Sequence, residues 1–163
     1  MREEREMKKL TAAIAAMMII MITSGLAMAF GIATLDKVSV HMTRAQVIAL
    51  LGTPDQMDKT DGGLQVEVYK VKDADPLEGA GCIYDDDGRL AGQTFIFRGE
   101  MSRDASARLQ QLGFVVTEAK EDAFRLLGKD DDTGRPLVVH IGHSDGLTVV
   151  TTFAKDFYDR QVK

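Results

Sequence analysis

Two histidines near the C-terminus are the residues whose types and spacing most suggest chemistry. His140 and His143 are three positions apart, and Asp145 follows shortly after them. Imidazole and carboxylate groups are common zinc ligands, but a zinc site needs three or four ligands that converge on one point. The sequence predicts that His140 belongs to a strand and His143 to the turn after it, so nothing directs both rings to one ion. We therefore expect no metal site, and a small metal-dependent hydrolase stays as a competing hypothesis.

Two runs of three aspartates, at residues 85–87 and 130–132, could suggest calcium ligands. In an EF-hand loop the ligands alternate at the first, third and fifth positions, and a glutamate closes the loop at the twelfth. Counted from Asp85, the twelfth residue is Ile96. Aspartate also stabilises tight turns through its own side chain. Both runs are therefore expected to be solvated hairpin turns.

The single cysteine, Cys82, excludes an intramolecular disulfide. A free cysteine is most often a small buried apolar residue, and a cysteine nucleophile would need a base that the sequence does not identify. The chain also has no Gly-x-Ser-x-Gly elbow, phosphate-binding loop or dinucleotide fingerprint. The sequence thus favours a protein that is not an enzyme and has no cofactor.

The elements that would position these residues begin with a short helix over residues 42–52. Thr43 and Gln46 have the spacing of a capping box, in which each side chain accepts a hydrogen bond from a backbone amide of the first turn. Gly52 suits the left-handed position after a helix, and Pro54 prevents continuation.

After this helix Gly62 and Gly63 predict a turn, and in residues 64–69 apolar residues then alternate with polar ones, as in a half-buried strand. Asp87 and Gly88 between two apolar runs predict a hairpin. A second helix with Ala105, Leu109 and Leu112 on one face follows, and then further strand-like runs at residues 114–117, 123–128, 137–141 and 147–153. The predicted fold is α+β: a short helix followed by an antiparallel meander sheet, repeated twice, with the helices as a layer on the sheet. A true duplication stays open.

The N-terminal segment has the features of an export signal. Residues 10–35 carry no charge and follow Lys8 and Lys9, and Ala27 and Ala29 provide the small residues of a signal-peptidase site. Cleavage would leave Phe30 at the N-terminus of a periplasmic or secreted protein. The same stretch is long enough to span a bilayer, so an uncleaved inner-membrane anchor facing the periplasm is the alternative. We expect a leader or anchor at residues 1–29 and helix-plus-sheet units at 30–99 and 100–163, the second of which ends in a short helix or tail.

Charge excludes one class of partner. From Phe30 onwards the chain holds 16 basic and 22 acidic side chains, a formal charge of −6. Nucleic-acid binding requires a basic face, so no nucleic-acid partner is expected.

A family resemblance rests on residues 38–54, which read VSVHMTRAQVIALLGTP, and on residues 83–90, which read IYDDDGRL. They resemble the SmpA/OmlA (BamE-like) envelope domains, in which Gly-Met-Thr-x-x-x-Val opens a short helix that ends in Leu-Gly-x-Pro. The resemblance covers residues 35–98, with a weaker echo at 101–153. A tandem of such units would be similar to the fold of the β-lactamase inhibitory protein. His41 stands in place of the motif glycine, which suggests a conformation that a non-glycine residue tolerates, and the lipidated cysteine is missing.

The resemblance implies a helix layer on a sheet and a role in binding other proteins, in envelope or outer-membrane assembly. We therefore expect an exported, non-catalytic module that binds a protein partner, the alternative being an inhibitor-like module that occupies an enzyme cleft. Aromatic residues dominate interface energetics, and alternation alone leaves open whether Tyr69 or Phe95 is core. The expected partner-binding residues, from the strands and the loop at residues 73–81, are Tyr69, Asp75, Leu77, Phe95 and Phe97.

Overall fold

The computed structural model describes residues 32–35, 37–59, 64–71 and 74–161. The predicted leader at residues 1–29 and the predicted turn at Gly62 and Gly63 lie outside these ranges. The helices of the described part are α1 (Ile32–Leu35), α2 (Arg44–Leu51), α3 (Ser102–Gln111) and α4 (Lys155–Gln161).

The capping box predicted for the first helix is confirmed at the start of α2. The backbone amide of Thr43 donates to Gln46 Oε1 at 2.8 Å, and the amide of Gln46 donates to Thr43 Oγ1 at 3.3 Å. Gly52 ends the helix with a φ of 82°, in the left-handed region that glycine adopts without a steric penalty. Local side-chain chemistry therefore determines both ends of this helix.

The eight strands of the described ranges belong to one antiparallel sheet, in the order β1-β2-β3-β4-β8-β7-β6-β5. Their bounds are β1 Gln56–Lys59, β2 Gln65–Lys70, β3 Leu77–Tyr84, β4 Leu90–Arg98, β5 Val115–Lys120, β6 Ala123–Lys129, β7 Pro136–Ser144 and β8 Leu147–Ala154. The loop expected at residues 73–81 is shorter than predicted because β3 already begins at Leu77, and β1 was not predicted.

The expected fold class, a helix layer on an antiparallel sheet, is wrong. The described chain is a sheet-rich fold, with strands far more extensive than helices. The physical reason is size: a helix of ten residues such as α3 is about 15 Å long, whereas eight strands side by side span about 34 Å. Helices this short cover patches of the sheet and do not form a layer over it.

The two halves of the chain meet where β4 pairs with β8. Seven residue pairs form this antiparallel ladder, from Gly92 opposite Phe153 to Arg98 opposite Leu147. Thr94 and Thr151 face each other within it, and their buried hydroxyls are 3.1 Å apart. Each half contains a helix followed by four strands, α2 with β1–β4 and α3 with β5–β8, and this central ladder joins the two sets of strands in one continuous sheet.

The sheet has two faces, which we call front and back. The front face carries α2 and α3. Here the α2 cluster packs Val47 and Leu51 against Tyr69 and Cys82, and the α3 cluster packs Ala105 and Leu109 against strand residues that include Val139 and Ile141. The back face carries α4, and its core, the back cluster, runs across both halves and contains Val66, Ile83, Ile96, Val138, Phe153 and Phe157.

Candidate functional site

Two phenylalanines of β4 lie partly open on the front face. Phe95 and Phe97 are two residues apart, so their side chains point to the same side of the sheet. Both are half-buried. Phe95 packs against the α2 cluster, whereas Phe97 packs against both the α2 and the α3 cluster. The two rings therefore lie at the junction between the helix-covered parts of the front face.

The other residues expected to bind a partner lie in different environments. Tyr69 is only 1% exposed and Leu77 is 6% exposed, so both belong to the α2 cluster and neither reaches the surface. Asp75 is exposed, and its carboxylate lies 3.6 Å from the Arg98 guanidinium. The structure thus brings Phe95 and Phe97 together and removes Tyr69 and Leu77 from any contact surface. The sequence did not show whether Tyr69 or Phe95 is core, because strand alternation does not show which face of the sheet a helix covers.

A buried acid that the sequence did not identify lies on the front face, within hydrogen-bond distance of α2. Glu67 has no exposed surface. Its Oε2 accepts a hydrogen bond of 3.0 Å from the Tyr69 hydroxyl, and its Oε1 accepts one from Nε of Arg44, the first residue of α2. Hydrogen bonding to Glu67 raises the pKa of Arg44. Because the Arg44 side chain is 43% exposed, this ion pair connects the surface of α2 to the core beneath it.

Cys82 lies directly across the β2·β3 ladder from Glu67 and is buried, as the sequence predicts. Burial raises the pKa of its thiol to about 12, and the negative charge of Glu67 adds to this effect. Because the thiolate is the nucleophilic form, a thiol with this pKa is unreactive at neutral pH. Cys82 therefore acts as a packing residue.

The two histidines point to opposite faces of β7. His140 is on the back face, where its ring lies 5.0 Å from the ring of Tyr158, measured between centroids. His143 is on the front face, where its Nδ1 lies 3.0 Å from Glu100 Oε2. Within the described ranges, no group of three or more His, Cys, Asp or Glu side chains is placed to hold a metal ion. The separation of the histidines follows from strand alternation, because residues three apart lie on opposite faces.

Glu100 lies in the short segment between β4 and α3, and its carboxylate contacts both Ser102 and His143. Oε1 of Glu100 accepts hydrogen bonds from the hydroxyl and the amide of Ser102, which lower the pKa of Glu100, and Oε2 contacts His143. Ser102 is fully buried. In a Ser-His-acid triad the imidazole bonds to the hydroxyl and the acid lies behind the imidazole, whereas here the Glu100 carboxylate lies between them and itself accepts the hydrogen bond of the Ser102 hydroxyl. The cluster therefore fixes the start of α3 against the β7–β8 hairpin.

Both aspartate runs form turns, as the sequence predicts. Asp85 Oδ1 accepts hydrogen bonds from the amides of Asp87 and Arg89 at 3.0 and 2.9 Å. Asp130 Oδ1 accepts from the amide and the hydroxyl of Thr133, both at 2.8 Å. These carboxylates stabilise the turns in which they lie.

Comparisons with known proteins add little. Neither a protein-family model nor a curated protein matches the chain. Among solved structures, an extracellular protein containing a SCP domain from Bacillus anthracis str. Ames has 9% sequence identity and a TM-score of 0.43, over 86% of this chain. The chain spans about half of that protein (51%). At this level of similarity the two proteins need not share a fold or a function. Within the described ranges, no helix is long and apolar enough to cross a membrane.

Proposed function

We propose that this chain is an exported, non-catalytic module that binds a protein partner through the front face around Phe95 and Phe97. The observation that carries the proposal is the partial exposure of two adjacent aromatic side chains at the junction of the α2 and α3 clusters. Large aromatic side chains in a partly enclosed setting are typical binding hot spots, because a partner can complete their burial.

The chemistry of the candidate reactive groups also favours a binding function. Cys82 holds its proton, Ser102 is buried beneath a carboxylate, and His140 and His143 lie on opposite faces of the sheet. A metal-dependent hydrolase that uses both histidines would need them to converge. The binding hypothesis requires no rearrangement of these residues.

Charge suggests the type of partner. The chain from Phe30 onwards has a formal charge of −6, which favours a partner with a basic patch and an association rate that falls with added salt. The resemblance to SmpA/OmlA domains would place the partner in envelope assembly, whereas an inhibitor-like module would bind an extracytoplasmic enzyme. Identification of the partner distinguishes the two.

A photo-crosslinking amino acid at position 95, introduced into the full chain in the cells that make it, should capture the partner. The same amino acid at position 115 is the control, because Val115 is an exposed apolar residue of β5, 64% exposed and remote from Phe95 in the sheet order. We expect a crosslinked protein from position 95 that is missing from position 115.

The captured protein is then purified and titrated against wild type, Phe95→Ala and Val115→Ala. Loss of a hot-spot aromatic should weaken binding roughly 10- to 30-fold, with little change for Val115→Ala. Each variant's melting temperature is measured first, because Phe95 also packs against the α2 cluster. Equal affinities of the folded Phe95→Ala variant and wild type would rule out this face.

Export is tested separately by mass spectrometry of the protein from the same cells. A chain that begins at Phe30 indicates a cleaved signal and a periplasmic or secreted protein. An intact Met1 in the membrane fraction indicates an anchored one. An intact chain in the cytoplasm contradicts export while leaving the binding face untouched.

A further inference from the structure

The two helices on the front face differ in the side chains that they expose. On α3 the exposed side chains include three charged ones, Arg103, Asp104 and Arg108. On α2 the exposed side chains are small or uncharged, namely Ala45, Gln46 and Ala49. Charged residues are depleted in the centre of protein interfaces. The outer surface of α2 therefore suits contact with a partner better than the outer surface of α3 does.

Arg44 and Met57 form an exposed pair where the front face approaches the β1 edge of the sheet. Met57 lies directly across the β1·β2 ladder from Glu67, so both side chains point to the front face. The Met57 side chain is 53% exposed, and its Sδ lies 3.9 Å from Arg44 Nη2. Arginine and methionine are both enriched at protein interfaces. This pair is therefore a candidate contact on the side of α2 away from Phe95.

The buried acid Glu67 fixes the orientation of Arg44. Nε of Arg44 donates to Glu67, which has no exposed surface, while Nη2 lies beside the exposed Met57. The Nη groups are thus on the outer side of the guanidinium, and two parallel N–H donors match the two oxygens of a carboxylate. Ordering a long side chain normally costs binding free energy. Because the fold already restricts Arg44, a partner carboxylate would meet a donor pair that is already in place.

The area of a stable interface also favours a surface that extends across α2. A typical interface buries about 800 Å² on each partner, which is a patch roughly 30 Å across. Phe95 and Phe97 are both half-buried and supply only a small part of this area. β1 and β4 are three strand spacings apart in the sheet, about 14 Å. One patch of ordinary size therefore includes the two phenylalanines, the surface of α2 and Met57.

We propose that the partner-binding surface around Phe95 and Phe97 continues across α2 to Arg44 and Met57, a step that rests on the proposed function. At this end the partner places a carboxylate on the Nη groups of Arg44 and an apolar side chain on Met57. The chain from Phe30 onwards has a formal charge of −6, so Arg44 is a local exception on an acidic protein. A partner with a basic patch elsewhere and one acid at this point would be fixed in a single orientation.

Photo-crosslinking from position 57 of the full chain tests the extent of the surface. Leu112 is the matched control, because it is also about half exposed (51%) and lies at the end of α3, next to the opposite edge strand β5. We expect position 57 to capture the same protein as position 95, and position 112 not to capture it. Capture from position 95 without capture from position 57 overturns this extension and leaves the proposed function standing. No capture from either position rejects both.

Affinity measurements test the chemistry of the contact. The captured protein is titrated against Met57→Ala, Leu112→Ala and the double variant Arg44→Gln/Glu67→Gln, which removes both charges so that no buried carboxylate is left unpaired. We expect Met57→Ala and the double variant each to weaken binding roughly 5- to 20-fold, and Leu112→Ala to bind as wild type does. Melting temperatures show which variants are folded. Wild-type affinity in folded Met57→Ala or in the folded double variant overturns the proposal.

Discussion

At the scale of single residues, the backbone at His41 departs from what the sequence suggested. The replacement of the motif glycine by histidine suggested a conformation that a non-glycine residue tolerates, yet His41 has a φ of 73°, in the region that favours glycine. Two hydrogen bonds hold the His41 backbone in this conformation. The His41 amide donates to the Leu90 carbonyl at 2.6 Å, and Arg89 Nη1 donates to the His41 carbonyl at 3.2 Å. The surrounding hydrogen bonds therefore impose a left-handed conformation on a residue that disfavours it.

His41→Gly should accordingly stabilise the protein. Glycine removes the steric cost of the left-handed conformation, and this gain exceeds the free-energy cost of the extra conformational entropy that glycine loses on folding. We expect an increase of roughly 0.5–1 kcal/mol in the free energy of unfolding. Urea denaturation measures it. Asp145→Gly is the control, because Asp145 also has a positive φ, 54°, but aspartate tolerates this region better and the gain should be smaller. A destabilised His41→Gly would contradict this account.

Low pH should destabilise the protein through His140. Burial gives His140 a folded-state pKa of about 4, below the ordinary histidine value. Protonation below pH 6.5 therefore favours the unfolded chain, so the stability from this group is complete above about pH 6.5 and is lost as the pH falls towards 4. The loss should be on the order of 2–3 kcal/mol. Denaturation of wild type and His140→Phe at pH 7, 5.5 and 4 measures it, and the stability of wild type should fall relative to that of the variant as the pH is lowered. Parallel curves would show that His140 is not the group involved.

At the scale of elements, glycines in adjacent strands have different functions. A Cβ on Gly92 of β4 would lie 2.8 Å from the Phe153 ring, whereas a Cβ on Gly81 of β3 would meet its nearest atom, in Thr94, at 3.5 Å. Phe153 is buried, and its ring packs against the rings of Phe157 and Tyr158. Gly92 is thus needed so that Phe153 can pack across the β4·β8 ladder.

Gly92→Ala should therefore destabilise the fold by about 1–3 kcal/mol, the usual cost of overpacking a core. Gly81→Ala is the matched control, a glycine in the next strand with ordinary contact distances, and should change stability by less than about 1 kcal/mol. Thermal denaturation of the two variants compares them. Equal losses of stability in the two variants would mean that the contact with Phe153 is not the reason why position 92 requires glycine.

At the scale of the whole molecule, the continuous sheet predicts a single unfolding transition. The back cluster contains residues of both halves, such as Val66 and Val138, and the β4·β8 ladder joins the halves with seven residue pairs. Neither half can lose its strands without exposing the other's core. Cooperative unfolding of this type is the norm for a core shared by the whole chain.

Guanidinium denaturation tests this, with Cys82 labelling as the probe of the first half and amide exchange of β7 as the probe of the second. Both should give the same midpoint, with a Cys82→Ala sample as the labelling blank. A lower midpoint for either probe would show that the halves unfold independently.

The sequence by itself determined the features that depend on near neighbours. The first turn of α2 is capped by Thr43 and Gln46, and the turns come from Asp85 and Asp130, because each of these side chains bonds to backbone within four residues. Gly52 ends α2 because glycine adopts a positive φ without a steric penalty. Burial of Cys82 was also predictable, since free cysteine is commonly a core residue. Strand alternation placed Phe95 and Phe97 on one face without showing which face it was.

Only the tertiary structure decided the features that depend on pairing between distant residues. The order of the strands joins β4 to β8, which are about fifty residues apart, and makes one sheet-rich fold where a helix layer was expected. β1, with little apolar alternation of its own, becomes a strand because it pairs with β2. Tyr69 is core and Phe95 is partly open because α2 covers one and leaves part of the other uncovered. Local chemistry sets turns and caps, whereas burial is decided by which distant element packs on each face.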